Sequence, residues 1–323
     1  MNRRIAKPAC LAGVLFIALA GSGVHAQQKY PSKNITLISA LTAGAPDVMQ
    51  RSVAESIAAR TGATIIVEPR PGATGAVATA AVANAEPDGY TIGITFSGPL
   101  IANPLVNKDI KYHPVKSFAP ISLMARGGAI MIASPKLPAS NLAELLKLAK
   151  SRPEPIKVAY ASLANKLALL SLADAAKVKF LDVPFNTGTA MQTAVINGDV
   201  DISIEAPGSV YGMVKDGRLK AIVTGDRTRE PLFPDVGTIG EVVPGQDMTF
   251  WFAMLAPAGT PKDRLAWLER ETRAALDDPR IRARMFTAGI NVIAGSSKAL
   301  ADEIAATSER FARVVKQHGI TQN

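Results

Sequence analysis

The chain has one cysteine in 323 residues, Cys10. It precedes most of the apolar run Leu11–Ala20, so it is not placed as a lipid-attachment cysteine at a cleavage site. No later thiol exists to form a disulfide, bind zinc or act as a nucleophile. Histidine is almost as scarce. Beyond His25, only His113 and His318 occur, far apart and each without a neighbouring set of ligands. That count argues against an imidazole metal site and a His-based triad, and His318 near the C-terminus is expected to be solvated. No G-x-S-x-G elbow and no H-E-x-x-H helix occurs. Aromatic residues make up 5 %, with two tryptophans, and no basic cluster interleaves with them, which argues against nucleic acid. No second apolar run reaches membrane-spanning length. No metal, cofactor or catalytic residue is therefore expected.

The first 26 residues read as a secretory leader. Arg3, Arg4 and Lys7 give the positive start, Leu11–Ala20 the apolar core, and Val24-His25-Ala26 a small residue at −1 and −3 of a cut after Ala26. Cleavage removes three basic residues and no acidic one, taking the net charge from +9 to +6. The remaining chain, exported without a disulfide, must be held together by core burial alone. A bacterial periplasm fits best. The mild positive charge is compatible with anionic ligands, and equally with solubility.

Two α/β lobes are expected. Ile35–Ile38 reads as a buried strand, followed by a small-residue loop and a helix to about Arg60. Thr64–Val67 and Tyr90–Thr95 are further strands around an alanine-rich helix, giving a largely parallel sheet. Gly72 and Gly75 lack the third glycine and the acidic residue of a dinucleotide site, and read as turn and packing positions. Phe118–Ser134 is apolar but long for one strand, with Gly127-Gly128 near its middle; it reads as the exit from the first lobe. A helix capped by Asn141 follows, then strands at Ile156–Tyr160, Val178–Val183, Val200–Ile204 and Leu219–Thr224, with helices at Lys166–Lys177 and Thr189–Asn197. Thr249–Leu255 is the return crossing, and three helical segments close the chain. The expected division is 27–125 with 250–323 in lobe 1 and 126–249 in lobe 2, a clamshell hinged on two crossings. Ligands in such folds bind beyond the strand carboxyl ends.

The polar groups fall in loops at those strand ends. The first loop carries Thr42, Gly44, Ala45 and Asp47 at a helix N-terminus, where free N–H groups suit a carboxylate or phosphate. Ser97 closes the third strand. Ser162, Asn165 and Lys166 follow Ile156–Tyr160, and Phe185, Asn186, Thr187, Gly188 and Thr189 join the next strand to its helix. Glu205 ends the strand after that. Asp199 and Asp201 alternate on one strand face and read as a turn residue with a solvent-facing one. Donor-rich loops from two lobes, without nucleophile or metal, suit a binder better than a catalyst.

Seven motifs in one order extend this reading: Tyr30-Pro31-Ser32-Lys33, Glu68-Pro69-Arg70-Pro71-Gly72, Pro87-Asp88-Gly89-Tyr90-Thr91, Phe118-Ala119-Pro120-Ile121-Ser122, Val158-Ala159-Tyr160-Ala161-Ser162, Phe233-Pro234-Asp235-Val236 and Leu255-Ala256-Pro257-Ala258-Gly259-Thr260-Pro261. With them the chain resembles the Bug family, the extracytoplasmic substrate-binding proteins of tripartite tricarboxylate transporters. The resemblance implies a two-lobed Venus-flytrap, type II-like periplasmic-binding-protein fold that hands a solute to a membrane permease. It implies that two loops grip a ligand carboxylate, matching Ser39–Asp47 and Phe185–Ala190 here. Relatives carry P-F-P-P-G-G-G-T-D in the first loop, whereas this chain has lost two glycines and has Pro46 in place of a threonine. Its loop after Ser162 is also shorter, with Lys166 as a candidate cation at the cleft. The expected protein is a monomeric periplasmic binder of a small organic acid. A ligand-sensing receptor, and a hydrolase or lyase on the same clamshell, are the alternatives.

Overall fold

The computed structural model describes residues 30–41, 44–287 and 290–321. The expected leader and Thr42 lie outside them. The chain opens with β1 (Ile35–Ser39), α1 (Gly44–Thr61) and β2 (Ile65–Pro69). A 3-10 turn at Ala73–Gly75 leads into α2 (Ala76–Ala83), followed by β3 (Thr91–Phe96). A π-helical segment, Gly98–Ala102, then runs into α3 (Asn103–Val106). Next come β4 (Phe118–Gly128), β5 (Ile130–Ala133), α4 (Leu142–Ser151), β6 (Ile156–Tyr160) and α5 (Leu163–Ala176). Then come β7 (Phe180–Pro184), α6 (Gly188–Asn197), β8 (Ile202–Glu205), α7 (Pro207–Lys215) and β9 (Lys220–Thr224). The chain ends with α8 (Ile239–Val242), β10 (Thr249–Pro257), α9 (Lys262–Leu276), α10 (Pro279–Thr287), β11 (Asn291–Gly295) and α11 (Ser297–His318).

These elements make two sheets, ordered β11-β4-β10-β3-β1-β2 and β7-β6-β8-β5-β9. The first is mixed rather than largely parallel. β1, β2 and β3 are parallel, but β10 runs antiparallel to both β3 and β4, and β11 antiparallel to β4. The reason is topological: β4 carries the chain out and β10 brings it back alongside, so the two must oppose. In β10 both faces are buried. Trp251, Ala253 and Leu255 face the core shared with Leu300, Phe311 and Val314 of α11, while Phe252, Met254 and Ala256 face the core built on Ile35, Leu37 and Ile57. In the second sheet β6, β7 and β8 are parallel, and β5 runs antiparallel to β8 and β9.

The chain passes from one sheet to the other at Ala129, between β4 and β5. There the Ala129 N–H donates to the Met248 carbonyl (2.9 Å), the Gly225 N–H to the Ala129 carbonyl (2.6 Å), and the Met248 N–H to the Gly225 carbonyl (2.9 Å). Gly128 makes this closeness possible, since a Cβ there would lie 2.0 Å from the Asp226 backbone nitrogen. A seam of ion pairs reinforces the junction. Arg227 grips Glu303 of α11 (3.1 Å) and Asp247 (3.2 Å), Arg310 of α11 reaches Asp247 (2.7 Å), and Arg126 approaches Asp226 (3.3 Å). Further along, His318 is exposed, as expected, and its Nε2 lies 3.0 Å from an Asp174 carboxylate oxygen of α5. Leu167 of α5 is buried in the core that holds Trp251 and Leu100. The lobes therefore meet through more than two strand crossings.

Candidate functional site

A cavity of about 480 Å³ lies where strands of both sheets end. Leu41 and Pro46 follow β1, and Ser97 and Gly98 follow β3; Ser162 and Asn165 follow β6, and Glu205 and Pro207 close β8. Such strand ends are where open α/β sheets bind ligands. Each of these strands delivers the chain into a helical start. Ser162 caps α5, its hydroxyl accepting the Asn165 N–H at 3.2 Å, and Thr187 caps α6, accepting the Ala190 N–H at 3.3 Å. One orphan N–H of each first turn is satisfied in this way. The N–H groups of Gly188 and Thr189 in α6, and of Leu163 and Ala164 in α5, have no intrahelical partner. Ala164, Gly188 and Gly208 line the cavity from the first turns of α5, α6 and α7. The opposite wall is apolar, with Phe96, Phe250, Phe252 and Ile290.

The first loop is braced from within. The Gln50 amide, fully buried, donates to the Leu41 carbonyl at 3.0 Å and to Asp47 at 2.6 Å, and its oxygen meets the Ser39 hydroxyl. Asp47 also takes Arg51 at 3.0 Å, and those hydrogen bonds hold its carboxyl below the usual carboxylate range. Asp47 is thus committed to the helix and does not line the cavity, and neither does Gly44, which starts α1 with φ +73°. The Ala45 side chain, like Thr42, lies outside what is described.

Several other expected positions move. Residues 163–166 are the first turn of α5 rather than a loop, because Ser162 caps the helix three residues earlier than expected. Lys166 pairs with Asp182 at 2.9 Å and lies 5.9 Å from the Tyr160 ring centre, away from the cavity lining. Its charge is spent on β7. Of Phe185–Thr189, only Gly188 lines the cavity; Asn186, Thr187 and Thr189 are exposed, and Phe185 packs against the core under β5. Asp201 is structural, accepting the Lys157 N–H at 2.8 Å and pairing with Arg152 at 3.0 Å. Ser97, Ser162, Asn165, Gly188 and Glu205 are the expected positions that the fold brings together. The lining also includes Met191, Ser209, Phe250 and Phe252, which were not expected there.

Glu205 is the one titratable side chain among the described lining residues and is 5 % exposed. Burial pushes its carboxyl up to about 7, opposed by the Ser203 hydroxyl at 3.3 Å from Oε1 and by the Gln192 amide. Its Oε2 lies 3.0 Å from where a Cβ on Gly188 would sit, against the start of α6. A larger concavity, about 1120 Å³, lies behind the seam and is lined by Arg227, Arg229, Arg310 and Arg313. Those arginines are already paired with Asp247, Glu303, Glu241 and Glu309, so the strand-end cavity offers the better ligand site. No group of three or more His, Cys, Asp or Glu residues among the described residues could hold a metal ion.

Residues 49–320 match the tripartite tricarboxylate transporter receptor family, TctC. A UPF0065 protein of Bordetella bronchiseptica is 32 % identical over 293 residues, covering 90 % of this chain and 87 % of its own. The periplasmic binding protein BugD superposes with a TM-score of 0.70 at 29 % identity, covering 91 % of this chain and all of its own. MatC of Rhodopseudomonas palustris, solved with bound malate, gives 0.70 at 27 % identity, over 88 % of this chain and all of its own. These likenesses carry the two-lobed, type II-like periplasmic-binding-protein fold. The chain belongs to the TctC, or Bug, family of tripartite tricarboxylate transporter receptors.

Proposed function

We propose that this protein captures a small organic acid in the strand-end cavity and delivers it to the membrane permease of a tripartite tricarboxylate-type transporter. The observation that carries the reading is the convergence of the α5, α6 and α7 first turns on one cavity, with no cationic side chain among its described lining residues. Helix N-termini offer N–H donors and the positive end of a dipole to an anion, without the desolvation cost of a buried lysine. Ser97, Ser162 and Ser209 add hydroxyls. MatC, a relative with a bound acid, supports the ligand class. No nucleophile stands beside a general base among the described lining residues, which favours binding over turnover. Ligand closes the lobes about the crossings at Ala129 and Met248, with the ion-paired seam as pivot. The working compartment is the periplasm, reached after cleavage behind Ala26.

A thermal-shift screen of small carboxylates tests the reading. An acid at 100 times its Kd adds about 2.7 kcal/mol of stability. Absence of any shift across mono-, di- and tricarboxylates, with the protein folded, would overturn it. N-terminal sequencing of protein recovered from the periplasm checks the cut, which predicts Gln27 as the first residue.

A further inference from the structure

The cavity holds a buried acid and, among the described residues, no cation. Among its described lining residues there is no lysine, arginine or histidine, and Glu205 is the sole ionisable group. The cation expected at the cleft, Lys166, is held by Asp182. Glu205 itself is more than nine-tenths buried and, among the described residues, has no cationic partner; the Ser203 hydroxyl and the Gln192 amide are placed against its carboxyl. Its Oε2 faces the start of α6 across the unfilled space left by Gly188. A buried carboxylate without a counter-charge is costly unless something donates to it.

We propose that Glu205 is a specificity-determining residue that makes the cavity select ligands carrying an N–H donor, a protonated amine or a carboxamide, and reject dicarboxylates. The proposal rests on the reading of this cavity as the solute site and names the class of solute. One end of the ligand, a single carboxylate, sits at the helix N-termini. The other presents its nitrogen to Glu205. The body between lies against Phe96, Phe250 and Phe252, an apolar wall that gains nothing from a polar chain. An ammonium there forms a charge-assisted hydrogen bond and supplies the missing counter-charge. A second carboxylate meets a like charge at short range, and like charges that close cannot both stay ionised. The raised carboxyl of Glu205 agrees with this, because burial outweighs the Ser203 and Gln192 hydrogen bonds that favour its ionised form.

The test compares matched probes by calorimetric titration at pH 8, where Glu205 is mostly ionised. One set is glutarate, its half-amide 4-carbamoylbutanoate, and 5-aminopentanoate. The other is isophthalate, 3-carbamoylbenzoate and 3-(aminomethyl)benzoate. The amine or amide member should bind at least about tenfold tighter than the diacid of its set, and Glu205→Gln should reduce the amine's advantage to about threefold or less. A diacid that binds as tightly as its amine or amide partner overturns the proposal but leaves the solute-binding reading intact. So does an amine preference that survives in Glu205→Gln. If no member of either set binds at millimolar concentration while circular dichroism shows folded protein, the proposal falls, and a silent carboxylate screen then takes the binding reading with it.

Discussion

Replacing Glu205 by glutamine should change how stability depends on pH. In the folded protein burial holds the carboxyl up at about 7, against 4.5 for an unperturbed glutamate. Between those values the folded state binds more protons than the unfolded one, so stability falls as pH rises. The contribution is fully present below the unfolded value and lost as pH passes the folded one. At about 1.4 kcal/mol per pKa unit, the loss across pH 4.5–7.5 comes to roughly 3 kcal/mol. Glutamine keeps the shape and an oxygen for the Ser203 hydroxyl, but has no charge to desolvate. Urea denaturation of ligand-free protein at pH 5, 6, 7 and 8 reads the effect. The wild type should lose about 2.5 kcal/mol more over this range than Glu205→Gln, and the variant should be the more stable protein at pH 8. The paired carboxylates Asp47 and Asp247 have depressed values and act below this window, in the opposite sense. Parallel curves for the two proteins would refute the picture of Glu205 as a desolvated, unpaired acid.

The remaining expectations concern the junction and the caps. Gly128→Ala places a methyl group 2.0 Å from the Asp226 nitrogen. It should break the three hydrogen bonds of the crossing and cost about 3 kcal/mol or more in urea denaturation; a loss below about 1 kcal/mol would mean that the strands can part cheaply. Asp247→Asn leaves Arg227 and Arg310 without their shared carboxylate, so hydrogen exchange in 297–318 should quicken while β6–β8 stay protected; uniform exchange would remove the seam as a distinct stabilising feature. Thr187→Ala should lower stability by about 1 kcal/mol through loss of a cap. Thr189→Val, at an exposed site off the cavity, should leave both the melting temperature and Kd alone.

Much of the fold was legible because its signals are local. Asn141 and Glu144 mark the start of α4 with a capping box, and the Glu144 N–H indeed donates to the Asn141 side chain at 2.9 Å. The apolar run Phe118–Ser134, too long for one strand and broken by two glycines, proved to be β4 and β5 in different sheets. What escaped depends on distant partners. β11 is five residues with a register irregularity and a positive φ at Ala294, and only β4 makes it a strand. The start of α5 was hidden because Ser162 is followed by Asn165, not by the glutamate or glutamine of a capping box. Lys166 looked free because Asp182 lies on another strand. Phe250 and Phe252 were readable as strand residues but not as cavity wall, since both faces of β10 are buried and alternation carries no information there.

Gly188 gives the most direct test that the strand-end cavity is where solute binds. Its φ is ordinary, so alanine is allowed by the backbone, but the new methyl would lie 3.0 Å from Glu205 Oε2 at the start of α6. Calorimetric titration of wild type and Gly188→Ala with the tightest ligand from the screen, beside a melting curve for each, isolates the effect. The account predicts a 1:1 complex for the wild type, a Kd raised about tenfold or more in the variant, and melting temperatures within a few degrees of each other. An unchanged Kd in a folded Gly188→Ala protein would contradict it and move the binding site elsewhere.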